Sequence, residues 1–470
     1  MRINLLAGFL IILGAFLVIF YPSLNYYFFQ DDWFVLNRLS FSELISFFTP
    51  RSDVIYYRPI GMQMYFFLSK TIFGLKPFAF HIVAFLFQVI NIFLIFKIIL
   101  KLFNDKLAAI MAAFIFATAA FHFMSLSWLA LSWNIIGMTF FLIALNFYLD
   151  WKKTKNRKKL LYTTIFFVFC LGSTEFAILI PFFLITLNIF FFSNKEKAYP
   201  KEEPLFFLIM FSAVFIYLVS RLFLFSVPAS GEYQIEISSS FFKTFFWYVL
   251  WLFNFPEELK YQIVISKFYL TETIVKDAGV LLFPSLFFSL GSMIIFGLLL
   301  ILCKLDRKIY LFSLSTFILF LLPVLFLPNH TYPYYLTFSS VSLLIVLSAI
   351  IATKNRNKYL YKFIFLFSIF WFMSSFFSVN ISQKIHWIVS EQSLSKKALN
   401  KIREKFPRIP PNSTVLIQTT NKMLKQTFFN EEALKVIYND KTIKTDYLIS
   451  NKVIDPENIW TSYYLKFNGN

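Results

Sequence analysis

Charge is scarce in this chain. Only 15% of its 470 residues are Asp, Glu, Lys or Arg, against about 25% in soluble domains, which excludes an ordinary soluble globule. Cysteine is nearly absent: Cys170 and Cys303 are the whole complement. Both fall within or at the end of apolar runs, so neither a disulfide framework nor a zinc site is supported. Also missing are the stretches of about ten residues with alternating polarity that a transmembrane barrel requires. The charge that remains is lopsided, at +19 net. In a soluble protein this excess would suggest nucleic acid. Here the basic residues sit in short loops between apolar runs, where they set membrane orientation, and no nucleic-acid partner is expected.

What the chain has is apolar length: 58% hydrophobic residues, with 68 phenylalanines. A span needs about 20 apolar residues, fewer where a helix is short or the bilayer thins. Candidate spans are 3–22, 78–100, 107–122, 127–149, 160–173, 176–192, 204–225, 279–303, 309–327, 334–353 and 361–380. The pattern predicts an all-α polytopic membrane protein with about eleven transmembrane helices. Residues 107–149 and 160–192 are too long for single helices. They break around Ser125-Leu126-Ser127 and around Gly172-Ser173-Thr174-Glu175. Arg2 and the run from Ile3 to Phe20 resemble a signal peptide, but Tyr21, Pro22 and Ser23 follow instead of a small-residue cleavage site, so the segment reads as an uncleaved first span.

With a cytoplasmic N-terminus, the loops KIILKLFNDK, DWKKTKNRKK, NKEKAYPKEE, KLDRK and KNRNKYLYK all fall on the cytoplasmic side, as the positive-inside rule requires. An odd number of spans then leaves the C-terminus outside. The first outer loop, 23–77, holds a helix-like stretch from Pro59 to Phe73 that reads as interfacial. The second, 226–278, holds the aromatic stretch FFKTFFWYVLWLF. Residues 1–384 then form the membrane catalytic domain. Residues 385–470 form a small extracytoplasmic α/β appendage: helices near 390–405 and in FNEEALKVIY, and strands in STVLIQT, TDYLIS and SYYLKF.

Polar residues gather on the predicted outer side: Asp31, Asp32, Arg58, His81, Glu175, Arg221, His330, Tyr332 and Tyr335. Asp31-Asp32 lies between aromatics in FFQDDWF. One acid would suffice to cap a helix, and charge near a bilayer is costly to keep, so the pair reads as catalytic or as a divalent-metal site. Glu175 is the one charge between Leu160 and Phe192. Against each stands a blander role: a solvated hairpin tip for Glu175, a headgroup anchor for Arg58, snorkelling for Arg221, a helix-start bond for His81 and interfacial tyrosines at 332 and 335. Trp128 and Trp133 read as belt residues before sugar platforms. The Asn-x-Ser/Thr patterns at Asn329, Asn380 and Asn412 are taken as chance. Acids and arginines at an outer membrane surface suit one chemistry. A carboxylate takes the proton of an acceptor hydroxyl, and cations hold the phosphate of a lipid carrier.

The first span, the acid pair in the first outer loop, YRP, and then FGLKPFAFHIVAFLFQVINIFLIF together resemble the GT-C membrane glycosyltransferases. The likeness is strongest to the protein-mannosyltransferase-like and aminoarabinose-transferase-like branch, and it covers roughly residues 5–350. It implies transfer of a sugar from a polyprenyl phosphate to an extracytoplasmic acceptor at the outer face of the cytoplasmic membrane. It places the catalytic acid on Asp31 or Asp32, with Asp31 taken as the base and Asp32 as orienting it or binding a metal. It matches a second outer-loop acid to Glu175, where Thr174 replaces the usual Lys. In the late segment PYYLTFSSVSLLI, Tyr334 stands near a missing Arg whose role His330 or Arg221 would supply. Gln88 matches a further polar position. The competing readings are a transporter or flippase of lipid-linked saccharide, and a polymerase or ligase of the same substrates.

Overall fold

The computed structural model describes residues 4–39, 45, 47–49, 56–192, 202–225, 231–264, 269–353, 358–449 and 462–467. Most of the basic loop 194–203 and residues 354–357 of the loop 354–362 lie outside the described residues, as do parts of both long loops.

The chain is a polytopic helical bundle. Among the described residues, eight helices are long and apolar enough to cross a membrane: Leu5–Asn25, Pro77–Phe103, Leu129–Thr154, Glu175–Phe192, Glu202–Leu224, Ile274–Leu302, Arg307–Leu325 and Tyr359–Ile385. Two bent pairs, Lys106–Ala117 with Ala120–Ser127 and Pro333–Ser339 with Val341–Ile351, raise the number to ten. The eleventh expected span corresponds to Arg157–Leu171, which has only 15 residues. At 1.5 Å per residue it rises about 22 Å, short of the roughly 30 Å hydrocarbon core. Local chemistry sets these boundaries. Asn4, Asp105, Asn156 and Asp306 accept hydrogen bonds from the first-turn N–H groups of the helices they precede. Asn104 and Lys155 end the preceding helices in left-handed conformation.

Burial orders the bundle. The Leu129–Thr154 helix is its centre, with 83% of its apolar window buried, whereas Glu202–Leu224 buries 17% and turns an apolar face outward. Such a face suits lipid and would be a liability in water. The Pro77–Phe103 and Leu129–Thr154 helices both carry lysines at their far ends. There Lys101 pairs with Asp150 at 2.6 Å, and Lys152 pairs with Glu203 at 2.9 Å while Tyr148 and Asn188 also donate to Glu203.

At the other end, residues 59–73 form a wide helical turn, Pro59–Met64, that leads into the helix Tyr65–Phe73. Gly74, at φ 63, stops it; a side chain there would be strained. Beyond the last long helix, Trp387–Lys405 runs over this end of the bundle. Gln392 of that helix accepts the N–H of Tyr27 at 3.1 Å and donates to the carbonyl of Ser127 at 2.7 Å. The following residues build a parallel sheet: Thr414–Thr419 in the centre, Lys444–Ile449 on one side and Ser462–Phe467 on the other. Glu432, on the helix between the first two strands, accepts hydrogen bonds from Asn37 and Arg38. The appendage is therefore stapled to the first loop by polar contacts.

Candidate active site

Asp31 opens the short helix Asp31–Asn37, where the positive end of the helix dipole favours a carboxylate. The turn that delivers it is unusual. The N–H of Asp32 donates to the carbonyl of Phe29 at 3.1 Å, and Gln30 between them has φ 45 and ψ −122. Those angles match the first central position of a type II′ turn, which glycine normally fills. A residue with a side chain held there costs on the order of 1–3 kcal/mol. Asp31 is half-buried and opens onto a cavity of about 370 Å³. Burial raises its carboxyl from 3.8 to about 6, and the Arg58 guanidinium partly opposes that rise.

Asp32, although adjacent, points elsewhere. Its Oδ2 accepts the N–H of Phe29 at 3.1 Å and its Oδ1 accepts the N–H of Ala130 at 2.7 Å. It is fully buried and is not on the cavity wall. Both oxygens are committed to backbone donors, so Asp32 ties the turn to the start of the central helix. A metal shared by the two acids does not fit this donor set, and among the described residues no group of three His, Cys, Asp or Glu side chains is placed to hold one.

Arg58 and Glu175, 117 positions apart, grip each other. Nε of Arg58 donates to Oε1 at 3.2 Å and Oε2 at 3.1 Å, and Nη2 donates to Oε2 at 3.0 Å. The guanidinium also lies 3.7 Å from the Trp133 ring centroid, a cation–π contact. Close packing brings the two segments together. The N–H of Ile60 donates to the carbonyl of Gly172 at 2.8 Å. A Cβ on Gly61 would meet Ser173 at 2.9 Å, and one on Gly137 would meet Thr174 Cγ2 at 2.6 Å. Thr174, where the resemblance implied a lysine, caps the turn that carries Glu175 by accepting the N–H of Phe176 at 3.3 Å.

His330, Tyr332, Tyr334 and Tyr335 line the same cavity. His330 stacks on Tyr233 at 4.2 Å between centroids and meets Tyr332 at 4.9 Å. Its Nδ1 lies 3.4 Å from Glu232, yet burial and then the cations Arg58 and Lys260 lower it to about 4. It is neutral at pH 7 and cannot replace an arginine as a cation.

No family model matches the chain, and no curated protein does. Among solved structures it is similar to ArnT, an aminoarabinose transferase, from Cupriavidus metallidurans, solved bound to undecaprenyl phosphate. That likeness has 12% identity and a TM-score of 0.49, and it covers 93% of this chain and 85% of that one. The chain is also similar to an oligosaccharyltransferase from Archaeoglobus fulgidus, solved with zinc and sulfate. Here identity is 12% and the TM-score 0.37, with 93% of this chain and 62% of that one covered. At these identities neither likeness decides the chemistry.

Asp31, Arg58, Glu175, His330, Tyr332 and Tyr335 thus meet at one end of the bundle, the first two and the last three directly on the cavity wall. His81 does not join them. It is buried in the Pro77–Phe103 helix with Nδ1 3.0 Å from the carbonyl of Leu126, a backbone contact 45 positions away in place of the expected helix-start bond. Gln88 lies deeper in the same helix and accepts from Asn91 at 3.3 Å. Arg221 is not on the wall either. Its guanidinium sits 5.1 Å from the Phe225 ring, and its Nη1 is buried without a hydrogen-bond partner among the described residues.

The sequence also misplaced two tryptophans and missed several residues. Trp128 and Trp133 face the cavity instead of a membrane belt; the chain breaks between helices at Trp128, which turns both rings inward. Tyr56, Glu232, Tyr233, Trp387 and Glu391 also line the cavity. YYRP offered a signal for Tyr56, since it lies two residues before Arg58. Nothing in the sequence ties Glu391 to Asp31.

Proposed function

We propose that this protein is a membrane glycosyltransferase that moves a sugar from a polyprenyl phosphate to an acceptor outside the cytoplasmic membrane, with Asp31 as general base. One observation carries this reading: a carboxylate raised to about 6 opens onto a cavity that it shares with an arginine and a wall of aromatic rings. A base whose pKa lies near the working pH is mostly ionised at pH 7 yet still attracts a proton. The acceptor hydroxyl oxygen bonds to the anomeric carbon and its proton passes to Asp31. The bond from that carbon to the phosphate oxygen breaks, with inversion, and the lipid phosphate leaves with the electron pair. Such a leaving group needs little protonation, so one acid suffices. Arg58, fixed by Glu175, lends positive charge where the phosphate charge develops. The cavity volume suits one sugar unit, and Trp128, Tyr332 and Tyr334 offer faces for it to stack on.

Charge supports the outer side of the membrane. The cavity lies at the end of the bundle opposite Lys101 and Lys152, and basic loops favour the cytoplasm. In this reading residues 385–470 form the extracytoplasmic appendage.

The test is Asp31→Asn in proteoliposomes offered a panel of polyprenyl-phosphate sugars and an envelope extract as acceptor. Transfer should fall by about 10²-fold or more, the low end of what a general base contributes, with the protein still inserted. Transfer within about threefold of the wild type would remove Asp31 from the chemistry.

A further inference from the structure

The turn carrying Asp31 is not held by its local hydrogen bonds alone. Gln30 occupies a glycine conformation, and further restraints on it come from more than 360 positions away. Its N–H donates to the carbonyl of Thr427 at 2.8 Å. Its side-chain Nε2 donates to Glu391 Oε2 at 2.6 Å. The hydroxyl of Thr427 donates to that same oxygen at 3.1 Å. Glu391 therefore joins the turn at one end to the appendage at the other. Its side chain has only 4% exposure, a setting in which such bonds are stronger than in water.

We propose that Glu391 is a positioning residue for Asp31: by holding Gln30 and Thr427 together it keeps the Phe29–Asp32 turn in its disfavoured conformation and aims the base at the cavity, which makes the C-terminal appendage part of the active site. The role of Asp31 itself rests on the function proposed above; the clamp does not. Glu391 also borders the cavity, so a direct chemical role is the rival. The two roles make different demands. The clamp uses one oxygen as an acceptor for two donors, which a glutamine oxygen supplies equally well. Proton transfer needs the carboxylate.

Full-length protein carrying Glu391→Ala, Glu391→Gln, or Glu391→Ala with Gln30→Gly separates these roles. Two readouts are taken in parallel: amide hydrogen exchange across residues 29–33, and steady-state transfer in proteoliposomes. In Glu391→Ala, exchange should quicken about tenfold or more as the turn opens locally. The kcat should fall by a similar factor with donor KM within about twofold, because only alignment is lost. Glu391→Gln should stay within about threefold of the wild type on both readouts. Gln30→Gly should return most of the kcat lost in Glu391→Ala, since glycine takes the turn conformation unaided. Unchanged exchange in Glu391→Ala would overturn the clamp. A Glu391→Gln as inactive as Glu391→Ala, with normal exchange, would make Glu391 a chemical group instead. Exchange is read without turnover, so it decides the clamp even if Asp31→Asn retains transfer and the base assignment fails.

Discussion

Removing Arg58 should move the pH dependence of the enzyme, not merely slow it. Asp31 stands at about 6 because burial outweighs the attraction of the Arg58 guanidinium. At that value about 90% of it is ionised at pH 7 and about half at pH 6. A nearby cation lowers a carboxyl by roughly 1–3 units. Arg58 shares its charge with Glu175 through three hydrogen bonds, so the low end applies, about one unit or ~1.4 kcal/mol. In Arg58→Gln the base would titrate near about 7, and its ionised fraction at pH 6 would drop to about a tenth. The sign is fixed: less opposing positive charge favours the protonated acid, and freeing the Glu175 carboxylate pushes the same way. The acidic limb of kcat/KM in proteoliposomes should have its midpoint near about 6 in the wild type and about one unit higher in Arg58→Gln. Arg58→Gln with Glu175→Gln should shift less. Because His330 is held near about 4, His330→Gln should leave the wild-type midpoint in place. A midpoint that stays put or falls in Arg58→Gln would refute the electrostatic account of Asp31, whatever happens to the maximal rate.

Two further outcomes test the scaffold. Asp32→Asn retains one acceptor oxygen and turns an NH2 toward the N–H of either Phe29 or Ala130, which costs about 1–3 kcal/mol for the lost bond; the unfolding midpoint in detergent should fall, and an unchanged midpoint with activity that now depends on added divalent metal would reverse the assignment of Asp32. Gly137→Ala should cut kcat/KM about tenfold although alanine is the better helix former by roughly 1 kcal/mol, because the new Cβ would lie 2.6 Å from Thr174 Cγ2 and push the turn that carries Glu175; adding Thr174→Ser, which removes that methyl and keeps the capping hydroxyl, should restore it, and a neutral Gly137→Ala would show that the turn has room to give.

The membrane architecture was legible because hydropathy is a local property. Each expected span lies on helical residues, and the break at Gly172–Glu175 occurs where polar residues interrupt the apolar run; the other expected break is displaced, since Ser125 and Ser127 sit within the short helix Phe123–Ser127 and the chain breaks on either side of it, at Thr118–Ala119 and at Trp128. The expected span 160–173 lies on the helix Arg157–Leu171, whose 15 residues are as short as the bounds read from the sequence. The cost of burying charge was legible as well. It singled out Asp31, Arg58 and Glu175 without any knowledge of where they meet. Their partners were not legible, because every one is set by tertiary contact. Asp32 is satisfied by an N–H at Ala130, Glu175 by Arg58, and Gln30 by Glu391 and Thr427.

This difference explains the misjudged residues. An isolated polar group in an apolar run must be paired or be used, and sequence shows only that one of the two holds. His81 and Asp32 turned out to be paired with the backbone, and Glu175 to be paired with Arg58. Among the predicted acids, Asp31 is the one whose carboxylate has no hydrogen-bond partner among the described residues while it opens onto a cavity. A half-buried acid held without a hydrogen-bond partner, beside an acid that has two, is kept at some cost in stability. The strain at Gln30 adds to that cost at the adjacent position. Two unfavourable features in consecutive residues, the strained one maintained by Glu391 and Thr427 from the far end of the chain, are what a site held ready for a substrate proton would require.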